Sequence, residues 1–587
     1  GSHQNFNTPK TMDQAQNPCS LALLTWEAAG EKLANALSAY LQSCVLLDTF
    51  SGAQNTLAGH IASRIDLSLN NLQTKLFDEL SQSRLVLARM RNKISSRSYS
   101  LPKAVLAEIF THVVFTPSPD EERFPSMTDA LKRIFGRLHS LLAVCSTWGN
   151  VGIALGQLWS VIPLADGKSK YPTPEVSLLA VQRSQAWTTG NRHLHLAVVL
   201  SNRHAPVSPF LNGRIPQFNS INIEARFNPS APDISSLLTG LIESQSLSVL
   251  SELSIHQYHD PMEEPSLRAP QPNEYVGFEM SAQRRDLLTS LIGSLSACRL
   301  RGINIHWQTV TFSNKLVEFH LQSVVLGTSS ELAELLQAPR SAPELRDLRL
   351  VSVVAFADGL QSPDAEQKIS LPKLQSLLLE NLSFNVLKRV LTSIAPGSHR
   401  IKVALTPRCE CNHSREEGSN SSGDSDEDSD EDSDENRFGG QPVIGLLERS
   451  NVETILLDAG ERESPWVNAQ ELRLLLRSLP SLKTLIMVSW KWNLGAIRAL
   501  ERPDSGSFPN LTGLCILGGY ITEANLLPHV VASHSLQTMV LDSHPSTLVG
   551  GGRDQTIRRL RRVVPDFRLV QGLEQMDEFN YHTWRLW

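Results

Sequence analysis

Cys409, Cys411 and His413 stand at two-residue steps, three soft donors of the kind that hold zinc. A structural zinc site closes with four ligands, usually in paired short spacings. No fourth partner stands at a recognised distance here, so no metal is expected. Directly after them comes DSDEDSDEDSDE, 424–435, in which Asp424, Asp426, Asp428 and Glu435 fall on the first, third, fifth and twelfth positions of a calcium loop. The sixth position is Ser429 rather than the glycine that such a loop turns on, and no helical pattern flanks it. A repeat of about four residues accounts for the match, and the run reads as a solvated, disordered insert. Ser421, Ser425 and Ser429 each have an acidic residue three positions on. That spacing suits acidophilic kinases, whose product would deepen the negative charge.

Other catalytic patterns do not close. Gly550-Gly551-Gly552 is followed by Arg-Asp instead of the Lys-Ser/Thr of a phosphate loop, and neither HExxH nor GxSxG occurs. Arg558, Arg559, Arg561 and Arg562 fit a nuclear signal or the polar face of a terminal helix equally well. The expectation is a non-enzymatic chain with no cofactor that acts by presenting surface.

Composition sets only the broad class. The 587 residues are 41% apolar and 6% aromatic, ordinary for a globular chain of two to four domains. The formal charge is −6, but nine carboxylates lie in 424–435, leaving +3 elsewhere and no nucleic-acid footprint. Seven scattered cysteines point to reduced thiols. With no membrane-length apolar run and no secretory leader pattern, the expected location is cytoplasmic or nuclear. Gly1-Ser2-His3 resembles a cloning remnant and is set aside.

These residues need elements to hold them. Residues 1–20 are polar and read as a disordered tail, and 21–97 as a helical hairpin or coiled-coil-like lead-in. Within the lead-in, Ile61, Ile65, Leu69, Leu72, Leu76, Leu80, Ser83, Leu87, Met90 and Ile94 step by threes and fours. That is one seam along one long helix, able to pack on the preceding helix or on a second copy of the chain.

Next, LPKAVLAEIF at 101–110 places Pro102 where a helix starts, with Val105, Leu106, Ile109 and Phe110 on an apolar face. LLAVCSTWGN at 141–150 gives a second short helix and GQLWSVIPL at 156–164 closes a third, with a long insert, 115–137, between the first two. The order Leu-Pro, apolar helix, Val-Cys-x-x-Trp, Leu-Trp resembles an F-box, as found in fungal F-box proteins. The resemblance covers about a tenth of the chain, 98–165. It rests on Leu101, Pro102, Val105, Leu106, Ile109, Val144, Cys145, Trp148, Leu158 and Trp159. It implies a three-helix unit that docks on a small adaptor, and through it on a cullin, with Leu101, Pro102, Val105, Leu106, Ile109, Val144, Trp148 and Trp159 at the contact. The family often carries Glu where this chain has Ala104.

Beyond 190 the pattern changes. Apolar residues recur at positions 1, 4 and 6 of a short motif, from Leu250/Leu253/Ile255 and Leu300/Ile303/Ile305 to Leu511/Leu514/Ile516 and Leu536/Met539/Leu541. Successive starts from 316 onward lie 25 to 30 residues apart, except for one gap of 78 holding the acidic insert and a weak unit at Ile401 to Leu405. This is the spacing of a leucine-rich repeat, one strand and one helix per unit. The expected fold is a mainly α N-terminal region, a long helix plus three-helix F-box, followed by an α/β leucine-rich-repeat solenoid over 190–570. The arc would carry an acidic insert at 409–440 and end in a tail at 571–587. Helices are expected at Ser329–Gln337, Asn385–Ser393 and Ala469–Ser478.

In each strand position 5 faces away from the core. Early units place Ser254, Asn304, His320 and Arg349 there; later ones place Leu378, Leu456, Ile486, Cys515 and Val540. An apolar stripe of that kind is either a target-binding surface or one covered by the tail, which is rich in Phe567, Leu569, Phe579, Trp584 and Trp587. The function implied is the substrate-recognition subunit of an SCF-type ubiquitin ligase; the alternative is an adaptor-independent repeat scaffold.

Overall fold

The computed structural model describes residues 18–51, 58–95, 101–116, 126–165, 173–184, 193–200, 218–226, 231–244, 249–258, 268–278, 280–357, 368–411, 440–460, 466–504, 506–544, 553–570 and 579. The chain divides into two compact units, Gly1–Leu101 and Pro102–Trp587.

The first unit holds two long helices, α1 (Pro18–Ser51) and α2 (Ala58–Ser95). Among the described residues the two are not extensively packed along one another. Every described side chain of α1 is exposed, and so are those of α2 except Leu72, Leu76 and Ser81, which are half-buried.

The second unit opens with α3 (Lys103–Phe115), α4 (Met127–Val144) and α5 (Ser146–Ala154), closed by a 3-10 turn at Gly156–Trp159. Much of the stretch expected as an insert is therefore the first half of α4. Its sequence is amphipathic throughout: Met127, Leu131, Ile134, Phe135, Leu138 and Leu141 are buried along one face. Ser126 caps it by accepting from the Asp129 N–H at 3.2 Å. The third expected helix is only the 3-10 turn, because Ser160 leads straight into strand.

A long strand series follows, most of it in one sheet. Its strands are β1 (Val161–Ala165), β2 (His195–Leu200), β3 (Ser220–Ala225), β4 (Glu252–Gln257), β5 (Ala297–Arg301) and β6 (Glu318–Gln322). After the short β7 (Val325–Thr328) come β8 (Asp347–Val351), the short β9 (Val354–Phe356), β10 (Ser376–Glu380), β11 (Arg400–Leu405), β12 (Val452–Asp458) and β13 (Thr484–Val488). The short β14 (Lys491–Trp492), β15 (Gly513–Leu517), the short β16 (Tyr520–Ile521), β17 (Thr538–Asp542) and β18 (Asp566–Val570) complete it. Fourteen of these form one sheet in chain order, while β7 pairs with β9 and β14 with β16. All neighbours are parallel, as a strand-helix-strand repetition requires. The region is thus an α/β parallel sheet with helices.

One face of the sheet is the core, with rows such as Leu253, Cys298, Phe319, Leu348, Leu377 and Ile401 in register and buried. Helices lie between strands at Ser329–Gln337, Phe384–Ser393 and Ala469–Ser478. Two begin on capping boxes, Thr328 with Glu331 and Asn468 with Glu471, which satisfy the free first-turn N–H groups. A recurring corner follows the strands. Ser323, Ser352, Asn381 and Ser489, with Gly302 and Gly518, each take a left-handed φ between 50° and 69° directly after a strand of the main sheet. Asn381 donates to Ser352 Oγ at 2.8 Å and accepts from Thr406 Oγ1 at 2.7 Å, so neighbouring corners are laced together.

Two expectations about register change. Leu253 and Ile255 oppose Cys298 and Leu300, so Leu300 takes the sixth position of its unit instead of the first. Arg299, not Asn304, then stands beside Ser254. At β11/β12 an extra residue enters: Ile401 opposes Val452 but Lys402 opposes Thr454. Leu378 therefore aligns through Lys402 with Thr454, while Leu456 aligns with Ala404 and Glu380.

Candidate interaction surfaces

The α3 helix has apolar side chains on two sides. Leu106, Phe110 and Val114, at i, i+4 and i+8, are buried and reach the core. Val105, Ile109 and Val113 repeat that spacing one residue earlier, and they are 42%, 38% and 42% exposed. A helix meeting water on that side would normally carry polar residues there. Pro102 sits at the helix N-cap, and its carbonyl accepts the Leu106 N–H at 3.1 Å.

The row is held rigidly from behind. The Phe110 and Trp148 rings lie 5.0 Å apart, and Trp159 Nε1 donates to the Gly152 carbonyl at 3.0 Å. A Cβ at Gly152 would come within 2.5 Å of Leu142 Cδ2, so a larger residue there would have to push that side chain aside where α5 meets α4. Arg137 donates from Nη1 to the carbonyls of Val113 and Thr116, at 3.2 and 2.6 Å, fixing the end of α3 to α4. On β3, the buried Glu224 carboxylate accepts the Met127 N–H at the start of α4 and pairs with Arg226. Burial pushes Glu224 above the usual carboxylate range against the pull of those two partners.

Of the residues expected at an adaptor contact, Pro102, Val105, Ile109 and Val144 are exposed and Trp148 is half-buried. Leu101, which ends the N-terminal unit, is also exposed. Leu106 and Trp159 are buried and support the core instead of meeting a partner. Val113 joins the exposed row; its signal was the same four-residue step carried one turn further.

The second face of the sheet is polar from β3 to β8. Asn222, Ser254, Arg299, His320 and Arg349 form one registered row, flanked by Glu252, Glu318 and Asp347 in the row before it. Arg299 is 1% exposed, and its Nε and Nη2 donate to the two Glu318 oxygens at 2.7 Å each. Its Nη1 reaches Glu252 at 3.2 Å. Burial pulls the guanidinium's pKa down, but Glu318 and Glu252 outweigh it and hold it above its ordinary value. Arg349 donates twice to Asp347 Oδ2, at 3.0 and 2.7 Å.

Between the arginines, His320 Nε2 lies 3.2 Å from Glu318 Oε1 and 3.3 Å from Asp347 Oδ2. The three ligand atoms lie within 4.8 Å of one another, close enough for a divalent ion. The surroundings do not fit one. Both carboxylates already take guanidinium donors, whose charge opposes a cation. A metal on Nε2 would also leave a buried Nδ1–H, and Nδ1 has no partner among the described residues. A neutral imidazole sharing its Nε2–H between two carboxylates fits better. Burial depresses His320 below its ordinary value despite those carboxylates. Asp347 is held at about 2, with His320 and Arg349 outweighing its burial. This is an ion network internal to the fold, in which His320 Nδ1 and Asp347 Oδ1 have no hydrogen-bond partner among the described residues.

Farther along, the expected apolar stripe splits. Leu378 lies in the row of Arg349 and Lys402. Leu456, Ile486, Cys515 and Val540 form the next row out. All but the half-buried Leu456 are closed to solvent, with Leu378 3% and Val540 7% exposed. Ile486, Val488, Cys515, Leu517, Val540 and Val570 form a separate cluster on which Phe579 packs. Of the tail residues expected to cover the stripe, Phe579 packs on that cluster and Phe567 and Leu569 belong to β18, while Trp584 and Trp587 lie outside the described residues.

Ser421, Ser425, Ser429 and His413 lie outside the described residues. Cys409 is ordered in a 3-10 turn, Pro407–Glu410, fully buried, with burial raising its thiol well above the ordinary value. The expected start of the insert at 409 is thus part of the fold. Among the described residues no helix is long and apolar enough to cross a membrane. No family model matches the chain, and no curated protein matches it significantly.

Proposed function

We propose that this chain is the substrate-recognition subunit of an SCF-type cullin-RING ubiquitin ligase, acting in the cytoplasm or nucleus. Its F-box would hold the adaptor, and through it a cullin, and its leucine-rich repeats would hold a protein target. The observation that carries this reading is the row Val105, Ile109 and Val113. A rigid, backed, exposed apolar helix face directly after a Leu-Pro start is what an adaptor-docking helix needs. The repeat reading draws its support from fourteen parallel strands in chain order and from the corner that recurs after them. Such a subunit contributes proximity: it raises the effective concentration of target near the ligase, and the bond-making belongs to other subunits.

The test is co-purification of the full chain with the adaptor, comparing wild type with Val105→Asp plus Ile109→Asp. Both side chains are exposed, so the fold should survive, which circular dichroism checks. A loss of binding of roughly 100-fold or more is expected, since two apolar anchors replaced by charge cost about 3 kcal/mol or more at a docked face. Wild-type chain that fails to bind the adaptor leaves the scaffold reading in its place.

A further inference from the structure

We infer that the N-terminal unit joins two copies of this chain through a helical bundle built from α1 and α2. In α2 the seam, exposed except at the half-buried Leu72 and Leu76, has an eleven-residue repeat: Ile61, Leu72, Ser83 and Ile94 are eleven apart, as are Ile65, Leu76 and Leu87. Eleven residues make three turns at about 3.67 per turn, so the row runs nearly straight along the helix or drifts right-handed. A partner helix can therefore lie along its whole length, about 50 Å for 34 residues.

α1 asks for more than one neighbour. Trp26, Gly30, Leu33, Leu37, Tyr40, Cys44 and Leu47 step by four and three along one side. Leu41 and Val45 widen that side, while Leu21, Leu24 and Leu46 fall opposite it by helical spacing. Only Glu27, Glu31, Lys32 and Asp48 carry charge in its 34 residues, yet all of its described side chains are exposed. A helix that is apolar nearly all round belongs inside a bundle. A single α2 could cover only one side of α1, so the other side falls to a second copy.

Charge selects the pairing. The three carboxylates and one lysine of α1 give it −2, and the six cations and three carboxylates of α2 give it +3. Contacts of α1 with α2 are thereby favoured over α1 with α1 or α2 with α2. Each helix face offers roughly 500 Å² by its length and a width of about 10 Å, so two pairs of faces bury about 2,000 Å², the range of a stable dimer.

The experiment is light scattering and sedimentation equilibrium on the full chain between about 1 and 50 µM, the range in which a typical specific dimer forms. Wild type is expected at twice the protomer mass of 65.0 kDa. Leu72→Asp with Leu76→Asp, and separately Leu33→Asp with Leu37→Asp, are expected to weaken association at least 100-fold and give the protomer mass. Asn70→Asp with Thr74→Asp, which adds the same charge on the far side of α2, is expected to leave the dimer intact. A monomeric wild type, a dimer that survives both seam variants, or a control variant that dissociates equally would each overturn the inference. Adaptor binding through α3 is read on the same samples, so failure here is distinguishable from failure of the ligase reading.

Discussion

Arg299→Met is the sharpest test of the ion network. Methionine keeps the apolar stem and most of the volume, so the change isolates the charge. In wild type the guanidinium is 1% exposed and makes two 2.7 Å bonds to Glu318, one of 3.2 Å to Glu252 and one of 3.3 Å to Ser254. Removing it leaves the Glu318 carboxylate, 16% exposed, beside the half-buried Asp347 and Glu252 with one cation fewer among them. Breaking a buried pair by deleting one member costs about 3–5 kcal/mol, because the remaining charge stays desolvated. Trp307, whose ring lies 5.7 Å from Phe319 next to Glu318, reports locally during urea unfolding as the difference in fluorescence between the chain and its Trp307→Phe variant, a difference that cancels the signal of the other nine tryptophans. A long parallel sheet need not unfold in one step, so the reading is the midpoint of that local transition. Two further results follow from the same cause. The cost should shrink on acidification, since protonating the carboxylate left without its cation removes the uncompensated charge. In a double-mutant cycle with Glu318→Gln, the two changes together should cost less than their sum by at least about 1 kcal/mol. Strict additivity, or a shift under about 1 kcal/mol at pH 7, would refute the view that Arg299 neutralises a buried anion pair.

Glu380 offers the opposite sign. Burial pushes its carboxyl up to about 7 from 4.5, and Oε2 has no partner among the described residues. A raised acid costs stability as pH rises above 4.5, and the cost is complete above 7. Glu380→Gln should therefore stabilise the chain by up to about 3 kcal/mol at pH 8 and by almost nothing at pH 4.5, measured by urea midpoints; equal effects at both would exclude it. Phe579→Ala should cost about 1–2 kcal/mol, in keeping with a partly buried aromatic, and should raise binding of an apolar dye to the cluster at Ile486, Val540 and Val570. Unchanged dye binding would mean that Phe579 does not seal that cluster.

The helices and later strands were legible because their signals are local. The three inter-strand helices were placed to within one residue, since each repeats apolar side chains at helical spacing and two open on a capping residue. The strands β1, β2 and β3 escaped the one-four-six template: Val161–Ala165, His195–Leu200 and Ser220–Ala225 lack its leading leucine. The register of β5 was misjudged because Cys298 and Arg299 do not look like repeat positions, whereas Ile303 and Ile305 do. Long-range pairing decided between them. The β12 bulge was equally hidden, because one extra residue is invisible to a pattern that restarts in each unit. The left-handed corners did leave a trace, a Ser, Asn or Gly directly after the strand. That trace is weak, because those residues are common in any loop.

The distribution of exposed apolar surface then bears on where a target could be held. On the second face of the sheet, the ion network occupies the row from Ser254 to Arg349, and Phe579 packs on the cluster beyond it. A partner using Ile486, Cys515 and Val540 must first displace Phe579. That contact is worth about 1–2 kcal/mol, so it lowers the apparent affinity of any such partner by roughly 5- to 30-fold. Removing Phe579 should return that factor to a partner that binds there, and should leave one that binds elsewhere untouched. The α3 row carries no such penalty, because Val105, Ile109 and Val113 already face water on a helix braced by Arg137 and the Phe110–Trp148 contact. On the function proposed above, docking at α3 would need no such displacement, whereas a partner at the later strands would first have to displace Phe579.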